Sequence, residues 1–329
     1  MNARIECAAA YLPAREVTND ELSTLVDTSD EWIATRTGIR RRRISTGENT
    51  TDMAAAVCRQ LLEKSGLSPL DIDMILIATV TPDYATPSTA CIVQGAIGAH
   101  NAFCFDIGAA CSGFLYGLSI VEKMIATGRC RNAIVIGAEV LSKITDWTDR
   151  STCVLFGDGA GGVLLTQAEN GGILGENLFS DGRQNAAIRG GYKAVRNPFA
   201  GQAEASEGVS AAGFLQMDGR ALFDFTTREV PKSIQSLLET TQTVETDIAW
   251  FLLHQANDRI VRAIAKKLKF DYEKFYVNID HIGNTSSATI PIALSEMIDN
   301  GLLHIGSGEK IVLSAFGGGV TWGSMLIQI

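Results

Sequence analysis

The sequence predicts an α/β protein made of two duplicated halves, residues 1–170 and 171–329. Three observations carry this. Apolar strand-like runs alternate with segments of helical period along the chain. The same order of elements occurs twice, once on either side of the polar, glycine-ending stretch TQAENGG (166–172). In each half a short apolar strand then gives way to a helix that opens near a polar or nucleophilic side chain. A chain of 329 residues is long for one core and suits such an arrangement.

In the first half, MILIATV (74–80) and AFCFDI (102–107) read as buried strands. After Cys111 the period changes. Phe114, Leu115, Leu118, Val121, Met124 and Ile125 recur at helical spacing as far as Gly128, a helix stop. AIVIGAE (133–139) is the next strand. FGDGAGG (156–162) has the GxGxxG spacing at Gly157, Gly159 and Gly162, but the strand-like VLLTQ follows where a dinucleotide site needs a helix.

In the second half, AWFLLHQAN (249–257) reads as a strand followed at once by a helix, and FYVNIDHIGNTSSATIPIALSEMIDNG (275–301) as a strand leading into another. KIVLSAFGGG (310–319) is a strand ending in a glycine turn before SMLIQI. Asp106 precedes Cys111 as Asp280 precedes Asn284, so Cys111 and Asn284 are expected at equivalent places, meeting at a pseudo-two-fold axis. Residues 183–213, rich in Gly, Ala and Ser, read as a long irregular excursion.

Hydrophobic content of 46% and 20% charged residues are ordinary for a soluble enzyme. Seven scattered cysteines without a CxxC pair point to neither a disulfide framework nor a zinc site, and fit a reducing compartment. MNARIECAAAYLP lacks the apolar core of a signal peptide, and no run reaches membrane-spanning length, so a cytoplasmic protein without membrane association is expected. A net charge of −9 argues against nucleic-acid binding. Against it stands RTGIRRRR (36–43), either a solvated face or a site for a phosphate-bearing ligand. RIVRAIAKKLK (259–269) sets Ile260, Val261, Ile264 and Leu268 on one face, leaving Arg259, Arg262, Lys266 and Lys267 for an acidic partner.

Cys111 sits beside a helix N-terminus, where orphan N–H groups and the helix dipole favour an anion and lower a thiol pKa. Gly108, Ala109, Ala110, Ser112 and Gly113 leave room to reach the sulfur. A nucleophile and a buried structural cysteine are both consistent with this stretch. His254 ends an apolar strand, the end at which α/β folds place chemistry. Cys111, His254 and Asn284 all fall at strand-to-helix junctions, and such a set can work in two ways. In a hydrolase the histidine is a base oriented by the asparagine. In a carbon–carbon-forming enzyme both donate to one thioester oxygen. Gly318, in FGGGVTWG (316–323), can pair its N–H with that of Cys111 as an oxyanion hole; a tight hairpin is the plainer reading. No HExxH, CxxC pair or EF-hand pattern occurs, so no metal is expected.

The blocks DTSDEWIATRTGIRRRRI, AACSG, DRSTCVLFGDGAGG, HQAND, GNTSSATIP and FGGGVTWG together, in this order and spacing, resemble the β-ketoacyl-acyl carrier protein synthase III family. The resemblance implies the thiolase fold, five layers αβαβα in two halves, and a homodimer. It implies that Cys111 is the nucleophile for an acyl-CoA substrate and that His254 and Asn284 act on malonyl-acyl carrier protein, with no cofactor. Trp32 and Arg150 match the pair that sandwiches adenine, and Thr28 and Arg36 match further nucleotide contacts. Ala256 and Asn257 match the pantetheine tunnel, and Phe156, Gly219 and Phe223 its lining. Gln255, Arg259, Lys266 and Lys267 match the carrier-protein surface.

Two positions depart from the family pattern. Arg220 stands where relatives carry a nucleotide-contacting asparagine. Thr86 stands at the acyl-pocket gate, where some members place a phenylalanine across the dimer interface; the smaller residue implies primers longer or more branched than acetyl. Two other readings accompany this one: an acyltransferase of secondary metabolism with the same triad, and a non-catalytic carrier-protein-binding module.

Overall fold

The computed structural model describes residues 2–193, 195, 197–199 and 213–329. Nine strands form its two main sheets. The first joins β1 (Asn2–Tyr11), β2 (Met74–Ala78), β3 (Phe103–Ile107), β4 (Asn132–Val140) and β5 (Asp158–Ala168) in the order β1-β5-β4-β2-β3. The second joins β6 (Gly172–Ser180), β7 (Ile248–Leu253), β8 (Lys310–Gly317) and β9 (Thr321–Gln328) in the order β6-β9-β8-β7. The second order repeats the first, and so does the pairing, parallel for β2 with β4 and for β7 with β8, antiparallel elsewhere along the shared order.

The counterpart of β3 has shrunk. The strand expected at 275 survives as one parallel bridge between Phe251 and Phe275. Short helical turns at Tyr272–Lys274 and Ile279–Ile282 enclose it and leave no length for a ladder.

Helices fill three layers around these sheets. Between them lie α4 (Gly113–Ala126) and α7 (Thr289–Asp299). Phe114, Leu118 and Val121 of α4 and Ile290 and Leu294 of α7 share one core with Leu76 of the first sheet and Leu313 of the second. Outside the first sheet, α2 (Thr50–Ser65) and α3 (Thr89–Ile97) cover Ile75 and Ile77, the alternate residues of β2. Outside the second, α5 (Gly219–Thr240) and α6 (Asp258–Leu268) cover Phe251 and Val312. Both faces of β2 are therefore buried, which is why MILIA is apolar without alternation. Gly128, at φ 73°, ends α4 as its sequence position implied.

Within the excursion, Ile188–Arg189 pairs with Gln216–Met217, and residues 194, 196 and 200–212 lie outside the described residues. All seven cysteines are free thiols. Among the described residues no helix is long and apolar enough to cross a membrane.

The duplication also reaches the turns that open α4 and α7. Each is a single 3₁₀ turn, Ala110–Ser112 and Ser286–Ala288. Each begins on a non-glycine residue in the left-handed region, Ala110 at φ 46° and Ser286 at φ 52°. The counterpart of Cys111 is thus Ser287. Asn284, expected to be equivalent to Cys111, lies three residues upstream of that position. The paired aspartates do not correspond either. Asp106 on β3 accepts the N–H groups of Thr89 and Ala90, whereas Asp280 lies in a helical turn and holds His281.

Candidate active site

Cys111, His254 and Asn284 line one cavity of about 230 Å³, although Asn284, expected at a strand-to-helix junction, follows the helical turn Ile279–Ile282 instead. A second, mostly apolar cavity of about 110 Å³ shares Cys111, Phe156 and Ile188 with the first. Cys111 is only 8% exposed. A Cβ added to Gly317 would sit 2.7 Å from Cys111 Cβ and 3.1 Å from Sγ, so the β8–β9 turn approaches the thiol as bare backbone. Gly318, the expected oxyanion donor, lines the second cavity beside Cys111.

The thiol does not have the lowered pKa that its place in the chain implied. Burial pushes Cys111 up to about 12, against a smaller downward pull from a Ser286 hydrogen bond. A 3₁₀ turn, not the first turn of α4, carries the sulfur, and no cation stands beside it among the causes of the shift. Burial also pulls His254 down to about 3, so its ring is neutral.

His254 follows β7, and its N–H donates to Ser314 O at 2.8 Å. Its ring meets Phe316 edge-on at 5.1 Å, and Nδ1 lies 2.7 Å from Thr289 Oγ1. Asn284 is fixed on three sides. Its N–H donates to Leu155 O at 2.9 Å, its carbonyl accepts the Gly157 N–H at 3.0 Å, and its Oδ1 accepts the Ser286 N–H at 2.9 Å. With Oδ1 engaged, Nδ2 is the group left to donate towards the cavity.

This geometry separates the two chemistries left open by the triad. A histidine base oriented by asparagine would need a contact to Asn284, yet Nδ1 is engaged by Thr289. A ring with a pKa near 3 is a weak base, but a neutral imidazole N–H beside an amide N–H₂ can stabilise an oxyanion.

Several residues of the site went unread in the sequence. Glu139, on β4, is fully buried and accepts from Thr79 Oγ1, the Val80 N–H, Thr81 Oγ1 and Ser287 Oγ at 3.2, 3.1, 2.7 and 3.0 Å. It ties the first half to the turn that holds Asn284. Burial raises its pKa, and these hydrogen bonds oppose the rise. The available signal was the hydroxyl-rich run NTSSAT, and for Gly317 the glycine triplet.

Close to Asn284, His281 bonds Asp280 Oδ1 at 2.8 Å and Glu296 Oε1 at 2.9 Å. These two carboxylates raise its pKa from 6.5 to about 9. The stabilisation from a raised histidine is complete below the unfolded value and is lost as pH climbs through the folded one. Thermal midpoints should therefore decline by about 2 °C between pH 6.5 and 9, given partial exposure. His281→Gln should flatten that slope in a series of melts; an equal slope in both proteins would rule the pair out as its source.

Away from the thiol, the ring of Trp32 on α1 (Asp30–Thr37) carries two guanidinium groups over it, Arg36 at 4.6 Å and Arg150 at 4.9 Å from the ring centroid. Arg150 also donates to Asp27 O at 2.7 Å. Thr28 Oγ1 is buried without a hydrogen-bond partner. Asn257 caps α6 through the Arg259 N–H and donates to Arg36 O at 3.0 Å, which links the Trp32 stack to the cavity. Phe156, Gly219, Phe223, Ala256 and Asn257 all line that cavity, while Arg220 is exposed and outside its lining.

The arginine run divides its work. Arg40 pairs with Asp30, and Arg41 and Arg43 with Glu16. Arg42 is fully buried and donates to Val17 O and Val154 O, which removes it from any phosphate role. Arg259, Lys266 and Lys267 are exposed on α6. Gln255 is not part of that surface. It is 1% exposed, and its amide donates to Leu253 O and Tyr276 O and accepts from Asn278. Thr86 is exposed and lines neither cavity of its own chain.

Two family models match the chain, 3-oxoacyl-[acyl-carrier-protein] synthase III over residues 105–182 and its C-terminal model over residues 238–329. The chain is 53% identical over 328 residues to the β-ketoacyl-[acyl-carrier-protein] synthase III of Enterococcus faecalis, covering 99% of both. The crystal structure of the corresponding Aquifex aeolicus enzyme superposes with a TM-score of 0.91 at 41% identity, covering 99% of this chain and 100% of that one. A priming β-ketosynthase from a polyketide pathway superposes with a TM-score of 0.90, covering 99% of this chain and 96% of that one, but is 31% identical, so the secondary-metabolism reading is not favoured. Neighbours, duplicated topology and layering agree on the thiolase fold, and the chain belongs to the β-ketoacyl-[acyl-carrier-protein] synthase III family of condensing enzymes.

Proposed function

We propose that this chain joins an acyl-CoA primer to malonyl-acyl carrier protein in the first condensation of fatty acid synthesis, with Cys111 as nucleophile. The observation that carries the reading is the placing of two neutral donors, His254 and Asn284, in one cavity with the thiol. In the first step the sulfur attacks the thioester carbon while its proton passes by way of solvent to the departing CoA sulfur, and the Cys111 and Gly318 N–H groups hold the oxyanion. CoA leaves as the free thiol. In the second, His254 and Asn284 donate to the malonyl thioester oxygen. Loss of CO₂ leaves an enolate there, and its carbon attacks the acyl-cysteine. Collapse of that adduct releases the β-ketoacyl thioester and returns the sulfur. Decarboxylation replaces proton abstraction from the malonyl carbon, so the condensation step needs neither an external base nor a cofactor.

The smaller, mostly apolar cavity at Cys111 receives the acyl chain between Val80, Leu141, Ile144 and Leu215. Trp32, Arg36 and Arg150 serve the nucleotide end, where adenine enters the stack by displacing a guanidinium. The exposed cations of α6 receive the acidic carrier protein. The edge strand β3 supports a homodimer, in which Thr86 acts on the pocket of the second copy. A cytoplasmic location suits these substrates and the free thiols.

The test is intact mass after brief exposure to acetyl-, butyryl-, isobutyryl- and octanoyl-CoA without malonyl donor. One acyl group per chain is expected, absent in Cys111→Ala, with butyryl and isobutyryl labelling at least as fast as acetyl. No adduct with any CoA would overturn the acyl-CoA assignment, and strict acetyl preference would overturn the pocket assignment.

A further inference from the structure

The turn Ser286–Ala288 sits between both proposed donors, and its contacts are unequal to a merely structural task. Its first N–H fixes the amide of Asn284. Thr289, the next residue after the turn, places its hydroxyl 2.7 Å from His254 Nδ1 and 3.0 Å from Ser286 O. Thr289 is 2% exposed. Its hydroxyl has one proton and two acceptors within reach, and the choice decides what His254 can do. If the proton goes to Ser286 O, the ring must supply Nδ1–H, and Nε2 faces the cavity bare. If it goes to Nδ1, the ring proton stays on Nε2.

We propose that Thr289 is a positioning residue that donates to His254 Nδ1 and so holds the ring in the Nε2–H tautomer. The inference deepens the reading of His254 as a donor and rests on it. Three observations favour this direction. The contact to Nδ1 is the shorter of the two. The ring is neutral through burial, so it carries one N–H, and a donor towards substrate must keep it on Nε2. Phe316 packs edge-on against the ring in the orientation that points Nδ1 at the Thr289 hydroxyl, which leaves Nε2 as the other nitrogen. One turn then orients both donors, the amide through a backbone N–H and the imidazole through a hydroxyl.

The chain has four histidines, so nitrogen-15 spectra of histidine-labelled protein are sparse enough to read, and His254→Ala identifies the signal that belongs to this ring. The expected pattern is a protonated Nε2 and a bare Nδ1. The reverse pattern would overturn the proposal. In Thr289→Val the Nε2–H form should lose population, and condensation should slow by at least about tenfold, more than acyl transfer to Cys111, since a wrong tautomer alone can cost a triad enzyme up to about 10⁴. Thr289→Ser keeps the hydroxyl and should stay within about threefold of the parent; a serine variant as slow as the valine variant would also overturn it. Failure of the underlying reading has a different signature: His254→Ala would then condense normally, whatever tautomer the parent shows.

Discussion

Replacing Asn284 with alanine should slow condensation by about 10²–10³-fold and leave acyl transfer to Cys111 within a few-fold of the parent. The two steps develop charge on different oxygens. In the proposed loading step it forms on the primer carbonyl, which the backbone N–H groups around Cys111 would hold. In the proposed condensation it forms on the malonyl thioester oxygen, to which His254 and Asn284 would donate. Removing one pre-oriented donor from a buried site typically costs about 3–4 kcal/mol of transition-state stabilisation, and that loss falls on the second step alone. Asn284→Asp should be slower still. Its carboxylate retains an acceptor for the Ser286 N–H but replaces Nδ2 with an oxygen that repels the enolate. Separate measurement of acyl-enzyme formation by mass and of CO₂ release from malonyl-acyl carrier protein distinguishes the steps. Equal losses in both would show that Asn284 serves the fold of the site and not the second oxyanion.

Glu139→Leu should destabilise the protein by about 3–5 kcal/mol, read as the shift of a denaturant midpoint. The carboxylate collects four donors in a place closed to water: three hydroxyls and the Val80 N–H. A leucine leaves that N–H and any hydroxyl unable to turn elsewhere without partners, at about 1–3 kcal/mol each. Glu139→Gln should cost far less. It keeps the shape and one acceptor, and the hydroxyls can accept from its amide. It also removes a charge that burial disfavours, as the raised pKa shows: that penalty grows as pH rises above the unfolded value of 4.5, so it is present at neutral pH. Unchanged midpoints in the leucine variant would mean that the network contributes nothing net. Because Ser287 is one of the four, the leucine variant should also condense more slowly than its residual stability explains.

The helical period after Cys111, the continuous apolar runs of fully buried strands and the repeated order of elements made the fold legible. Each is a local signature of packing on both faces. The convergence of Cys111 and His254 was legible because both follow strand ends; Asn284 instead follows the helical turn Ile279–Ile282, and the tertiary fold brings it to the other two. What stayed hidden depended on burial and on partners distant in the chain. A basic run reads as one feature, yet Arg42 enters the core while its neighbours pair with Asp30 and Glu16. Gln255 sits between His254 and a basic helix, and only the backbone of β7 and of Tyr276 takes it inward. The thiol pKa was misread for the same reason: the dipole is visible in the sequence, and the desolvation that outweighs it is not.

The two left-handed turns are the same backbone device used twice, and the chain assigns them unequal duties. One copy presents a sulfur to two cavities. The other turns the matching hydroxyl of Ser287 onto Ala78 O and Glu139, where nothing can reach it. Equal conformation has not produced equal reactivity. The silent twin has become the buttress of the active one, so the asymmetry that catalysis requires is made from symmetric parts by what each part is allowed to face.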